Sequence, residues 1–194
     1  MNYRRIITFL FIIFFLFIIF AFILLASYVG VSQVTITMER CKIVVYKDFI
    51  KFNTEWQVKA KSTASKFLFL EPILKENYFS PDNITIYVNN TKVKYNISED
   101  KNHIEFYASL QRDRINLIRI KFEQFLKKNN ITVPVKSYGN VNKEQGIYHI
   151  IFENPVKNLK SDYEPGSVKR EGKKIILSYQ LIKEIDNINI SWSD

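Results

Sequence analysis

Cysteine is almost absent. Cys41 stands alone among 194 residues, so no disulfide can form within the chain and the disulfide-stapled secreted classes are excluded. Beside Lys42-Ile43-Val44-Val45 a buried, inert thiol is expected rather than a reactive one. Five glycines leave no Gly-rich cradle for phosphate. The two histidines, His103 and His149, cannot form the tight two-His, Cys and Met cluster of a copper site with Cys41 and Met38, and no zinc-ligand spacing is visible. The expected catalytic, cofactor-binding and metal residues are therefore none, and no cofactor is implied.

A second absence defines the N-terminus. From Ile6 to Ala26 there is no charge, no Pro and no Gly. About 20 apolar residues at 1.5 Å each match the thickness of a hydrocarbon core. A soluble helix would carry a polar stripe, and this run is apolar all round. Arg4 and Arg5 precede it, and no charge follows until Glu39. The positive-inside rule then puts the N-terminus in the cytoplasm. The run is longer than the apolar core of a signal peptide, and Ala26-Ser27-Tyr28 offers no clean A-x-A cleavage site. A lipoprotein reading fails on the charged residues before Cys41. The expected division is a cytoplasmic tail at 1–5, a transmembrane helix at 6–29 and an extracytoplasmic domain at 30–194. That makes a single-pass protein of the cell membrane, with lipid as one partner.

After the span the pattern changes to period two. Gln33–Met38 and Lys42–Tyr46 read as two short strands. In Asp48–Lys61, Ile50, Phe52, Trp56, Val58 and Ala60 share one parity, and Lys51, Asn53, Glu55, Gln57, Lys59 and Lys61 the other. That is an amphipathic strand with one wet face. Phe67–Leu70 is a strand ended by Pro72, and Leu74–Asp82 a loop. Ile84–Val88 and Lys92–Ile97 form a hairpin through Asn89-Asn90, whose residues tolerate positive φ. Ile104–Leu110 and Leu117–Phe122 follow as strands. Ile131–Val135 reads as an edge strand because of Pro134. Gly146–Glu153, Lys174–Leu181 and Ile188–Trp192 complete the set, with Arg170–Lys173 as a second hairpin turn. Gly139–Gly146 and Lys157–Lys169 are read as exposed loops and as candidate contact sites. Roughly nine to eleven strands without a helix imply an all-β, immunoglobulin-like antiparallel β-sandwich.

The net charge of +9 falls to +7 for the outer part once Arg4 and Arg5 are set aside. This favours an anionic partner, such as an acidic glycan or another envelope protein. Nucleic acid is a poor candidate outside the cell. Five Asn-x-Ser/Thr sequons, at Asn83, Asn89, Asn96, Asn130 and Asn189, are candidate N-glycosylation sites. Glu55, Glu99, Asp100, Glu123, Glu144, Glu153 and Asp162 fall on turns or wet faces, which does not suit a catalytic carboxylate pair. Ser27 and Ser32 lack a nucleophile's context. The layout, one N-terminal span and an outer β-sandwich, resembles several envelope proteins, including archaeal stator-type proteins of the motility machinery; no motif carries it and no site residue follows from it. The expectation is a non-enzymatic, membrane-anchored β-sandwich that binds or positions another envelope component. An accessory subunit of a surface-appendage or stator-type assembly comes second, and a membrane-anchored hydrolase third.

Overall fold

Alternation of apolar and polar residues builds this molecule strand by strand. The computed structural model describes residues 34–61, 67–72, 78–79, 83–99, 103–126, 128–135, 141–181 and 185–193. The expected tail at 1–5 and span at 6–29 lie outside them, as does Asp100. Among the described residues no helix is long and apolar enough to cross a membrane.

Sixteen strands are described: β1 Val34–Val45, β2 Phe49–Ala60, β3 Phe67–Pro72, β4 Tyr78–Phe79, β5 Thr85–Val88, β6 Thr91–Lys92, β7 Tyr95–Ile97, β8 His103–Ala108, β9 Ile115–Phe125, β10 Asn130–Pro134, β11 Asn142–Lys143, β12 Gly146–Phe152, β13 Lys157–Ser161, β14 Ser167–Glu171, β15 Lys174–Leu181 and β16 Asn187–Ser193. A ten-stranded sheet runs β14-β15-β12-β1-β2-β9-β5-β6, with β11 also on β1 and β4 also on β9. Two three-stranded sheets, β3-β8-β7 and β10-β16-β13, complete the set.

The architecture is all-β and sandwich-like, with both small sheets sharing one core with the inner face of the large sheet. Trp56 on β2 packs against Phe69 of β3 and Phe106 of β8, at ring separations of 5.8 and 6.2 Å. Phe152 on β12 meets Trp192 of β16 edge-on at 5.0 Å. The expectation of a wholly antiparallel, immunoglobulin-like sandwich is corrected: β1 runs parallel to β11 and β12. Ten strands facing three and three is also not the seven- to nine-strand division of that fold.

The β2 parity is as read from the sequence: Ile50, Phe52, Trp56, Val58 and Ala60 are all buried. Thr54 lies in the same row and is fully buried too. Leu117–Phe122 extends to the eleven-residue β9. Asn89 and Asn90, at φ 48° and 68°, form the tight turn between β5 and β6. Gly172, at φ 60°, turns β14 into β15. Pro134 lies on an edge strand, as its missing N–H requires.

Other expectations are corrected. The two short strands expected at Gln33–Met38 and Lys42–Tyr46 are replaced by one strand, β1 (Val34–Val45), interrupted by a register shift between Ile36 and Met38; Gln33 lies outside the described residues. The hairpin's second strand splits: β6 stays in the large sheet, whereas β7 pairs with β8 in a small one. The stretch Lys157–Lys169 is not a loop, since it holds β13 and the start of β14. Gly139–Gly146 contains the short strand β11.

Candidate functional site

The register shift in β1 decides where charge enters the core. Before it, Val34 and Ile36 point inward; after it, Glu39, Cys41, Ile43 and Val45 do. A β-bulge adds one residue to a strand and so reverses which parity faces the core. Without it, Glu39 would have faced solvent.

Glu39 lies in one row with Trp56 of β2 and Gly146 of β12. Its Oε1 accepts the Trp56 indole N–H at 3.0 Å. Its Oε2 accepts from Lys143 Nζ at 2.6 Å and from the Tyr148 hydroxyl. Lys143 Nζ also donates to the Tyr148 oxygen at 3.0 Å. Gly146 makes this possible: a Cβ there would stand 2.6 Å from Cε2 of Tyr148. The missing side chain lets the ring lie back toward Glu39.

One row further along β1, Cys41 Sγ is 3.5 Å from Thr54 Oγ1. That hydroxyl donates to Glu71 Oε1 at 3.2 Å. Glu71 comes from β3 and is 5% exposed. Glu39, Cys41, Trp56, Glu71, Lys143 and Tyr148 all line one cavity of about 30 Å³. Val133 and Pro134 of β10 close another side, so strands from all three sheets meet there. The space suits one or two water-sized molecules.

Burial sets the protonation of this cluster. Desolvation, then the charge of Glu39, pushes Glu71 up to about 8 against the opposing Thr54 hydrogen bond and Lys143 charge. Glu71 therefore keeps its proton at neutral pH. Burial, then Glu39, raises the Cys41 thiol, which stays protonated and unreactive. Burial and Glu39 also hold Tyr148 well above the usual phenol range, so it remains a donor.

Sequence reasoning found Cys41 and its burial but missed Glu39, Glu71, Lys143 and Tyr148 as a group. Glu71 was legible, since it shares parity with Phe67 and Phe69. Glu39 was not, because its orientation depends on the bulge. Among the described candidate carboxylates, Glu55, Glu99, Glu123, Glu144, Glu153 and Asp162 are half-buried or exposed. His149 projects to the wet face and bonds Ser178 Oγ at 3.0 Å. His103 starts β8 in a small sheet, so the two histidines are not brought together. Among the described residues no group of three or more His, Cys, Asp or Glu could hold a metal ion.

All five sequon asparagines are exposed. Asn83 Nδ2 donates to Glu123 at 2.8 Å, Asn89 Nδ2 to Asn116 at 3.0 Å and Asn189 Nδ2 to Asp162 at 2.6 Å. Asn96 and Asn130 sit on the edge strands β7 and β10.

No family model matches the chain. No curated protein matches it by sequence. Its fold does recur among solved structures. An M1 zinc metallopeptidase from Deinococcus radiodurans matches with a TM-score of 0.54 at 7% identity, over 82% of this chain and 42% of that one. A mutant of that enzyme bound to the substrate Tyr-ser-ala matches with a TM-score of 0.56, again at 7% identity and the same coverage. The chain thus spans less than half the length of these peptidases, and the likeness is one of fold.

Proposed function

We propose that this protein is a membrane-anchored β-sandwich that binds or positions an anionic component of the cell envelope. The observation that carries the reading is the outer face of the large sheet. On β1, β2 and β9 the outward positions hold Arg40, Lys42, Lys51, Lys59, Arg119 and Lys121 against Glu55 and Glu123. Glu55 lies between Arg40 and Arg119, at 3.6 and 3.4 Å, and Glu123 pairs with Lys51 at 2.7 Å. Among the described residues Lys42, Lys59 and Lys121 form no ion pair. A broad basic face attracts anionic surfaces and speeds their encounter.

The apolar run Ile6–Ala26 behind Arg4 and Arg5 supports the anchor, with the domain outside the cell membrane. The exposed sequons suit that address. The cavity admits only water-sized molecules and its thiol is held protonated, which favours the outer face over the cavity as the place where a partner is met. An accessory subunit of a larger membrane complex is the second reading. It draws on the peptidase likeness, in which this fold occupies less than half of a longer chain.

The test is a tag after Asp194 and mild crosslinking on intact membranes, at low and high salt. The tag should be cut by external protease without lysis. The captured partner should be lost at high salt, since charges more than about 8 Å apart are screened at physiological ionic strength. A protected tag would reverse the orientation, and a partner held equally at high salt would remove charge as the basis of recognition.

A further inference from the structure

Lys143, Glu39, Tyr148 and Trp56 are arranged as the parts of a condensation reaction. The geometry points to an intramolecular isopeptide bond between Lys143 Nζ and Glu39 Cδ, formed with loss of one water. This proposal stands on the cavity's geometry and does not rest on the envelope reading.

The amine and carboxyl are already in contact. Nζ lies 2.6 Å from Oε2, so Cδ, one carbon–oxygen bond further, is no more than about 3.9 Å away. Reactants held close to attack distance gain effective molarities of roughly 10⁵–10⁸ M. Both side chains are sequestered, at 13% and 9% exposure. Holding two ions away from water is costly, and an amide carries neither charge.

Each remaining group has a place in the step. Lys143 first gives one proton directly to Oε2, and the neutral amine attacks Cδ. The new N–C bond leaves negative charge on Oε1, where the Trp56 N–H stands at 3.0 Å as an oxyanion donor. A second proton passes from the nitrogen to the Tyr148 oxygen, 3.0 Å away, while the Tyr148 hydroxyl delivers its own proton to Oε2. The Cδ–Oε2 bond breaks and Oε2 departs as water. Ammonium and carboxylate become amide and water; nothing is oxidised or reduced. Glu39 contributes the acyl group, Tyr148 the proton relay and Trp56 the charge stabilisation. The product ties β1, the first described strand, covalently to β11.

Intact mass of the purified full-length chain decides the matter. Lys143→Arg keeps the charge but cannot form the amide, and comparison with it cancels any other processing. The wild type should be lighter than Lys143→Arg by the residue difference plus one water. Proteolytic fragments carrying Glu39 and Lys143 should remain joined. Glu39→Gln should still close, releasing ammonia in place of water, so that it reaches the same final mass as wild type. Tyr148→Phe should leave a larger fraction of chains open. A wild type at its full sequence mass relative to Lys143→Arg, with the two fragments separate, would overturn the bond and leave a buried salt bridge.

Discussion

Glu39 and Glu71 line the same cavity and live in opposite surroundings. Glu39 is met by an indole N–H, an ammonium and a phenol. Glu71 is met by the Thr54 hydroxyl, with Phe52, Phe69 and Cys41 among the walls. A carboxylate removed from water remains charged only where donors and a cation replace the lost solvation. Around Glu39 three donors converge, one of them an ammonium. On the Glu71 side the lower-energy solution is to retain the proton. The residue type is the same; the number of donors that converge on it differs, and strand geometry sets that number.

The two halves meet at Trp56, so that residue should break both. Its N–H serves Glu39 and its ring packs on Phe69 and Phe106. Trp56→Ala should cost on the order of 3–5 kcal/mol from the lost ring alone, with an orphaned carboxylate oxygen adding to it. Trp56→Phe, which retains much of the ring packing, should cost less. Urea midpoints of the two variants separate the contributions.

The Glu71 half should show itself in pH dependence. Its folded value, raised to about 8 from 4.5, means the native state holds a proton that the unfolded chain has released. The associated stability is complete below about 4.5, falls as pH rises from there, and is spent above about 8. Glu71→Gln should flatten that slope and be the more stable protein at pH 9, by on the order of a few kcal/mol. Equal slopes in thermal melts of the two proteins would mean Glu71 is ionised at neutral pH.

The Glu39 half depends on a missing side chain. Gly146→Ala would force the Tyr148 ring aside and draw its hydroxyl from Glu39, at a cost of roughly 1–3 kcal/mol. The same measurement at a control glycine, Gly166, where an added Cβ meets nothing closer than 3.7 Å, should show little change. Smallest of all is the outer face. Lys59→Ala, on the wet side of β2, should fall within about 0.5 kcal/mol of wild type; a loss like that at Trp56 would contradict the strand's parity.

Much of this was legible in the residues. Period-two alternation is a property of a single strand, so β2, β9, β12 and β15 could be located from their own sequences. Asn89-Asn90 and Gly172 announce their turns because few residues tolerate positive φ. Cys41 could be read as buried and inert from its apolar neighbours. The alternation of Phe67, Phe69 and Glu71 carries enough to bring a carboxyl inward.

Pairing between distant strands was not legible, because many partners satisfy the same alternating pattern and only the packed whole selects among them. Tyr95–Ile97 looks like the continuation of a hairpin, yet it belongs to another sheet. The polar stretch from Lys157 lacks an apolar row; β13 and β14 hold there because β16 and β15 offer free edges to pair with. The site itself is the extreme case. Lys143 and Glu39 are 104 positions apart. They meet only because β1 bulges after Ile36, reverses its parity and lies parallel to β11 and β12. A bulge is fixed by the strands on either side of it, and that information is not present in any local window of the chain.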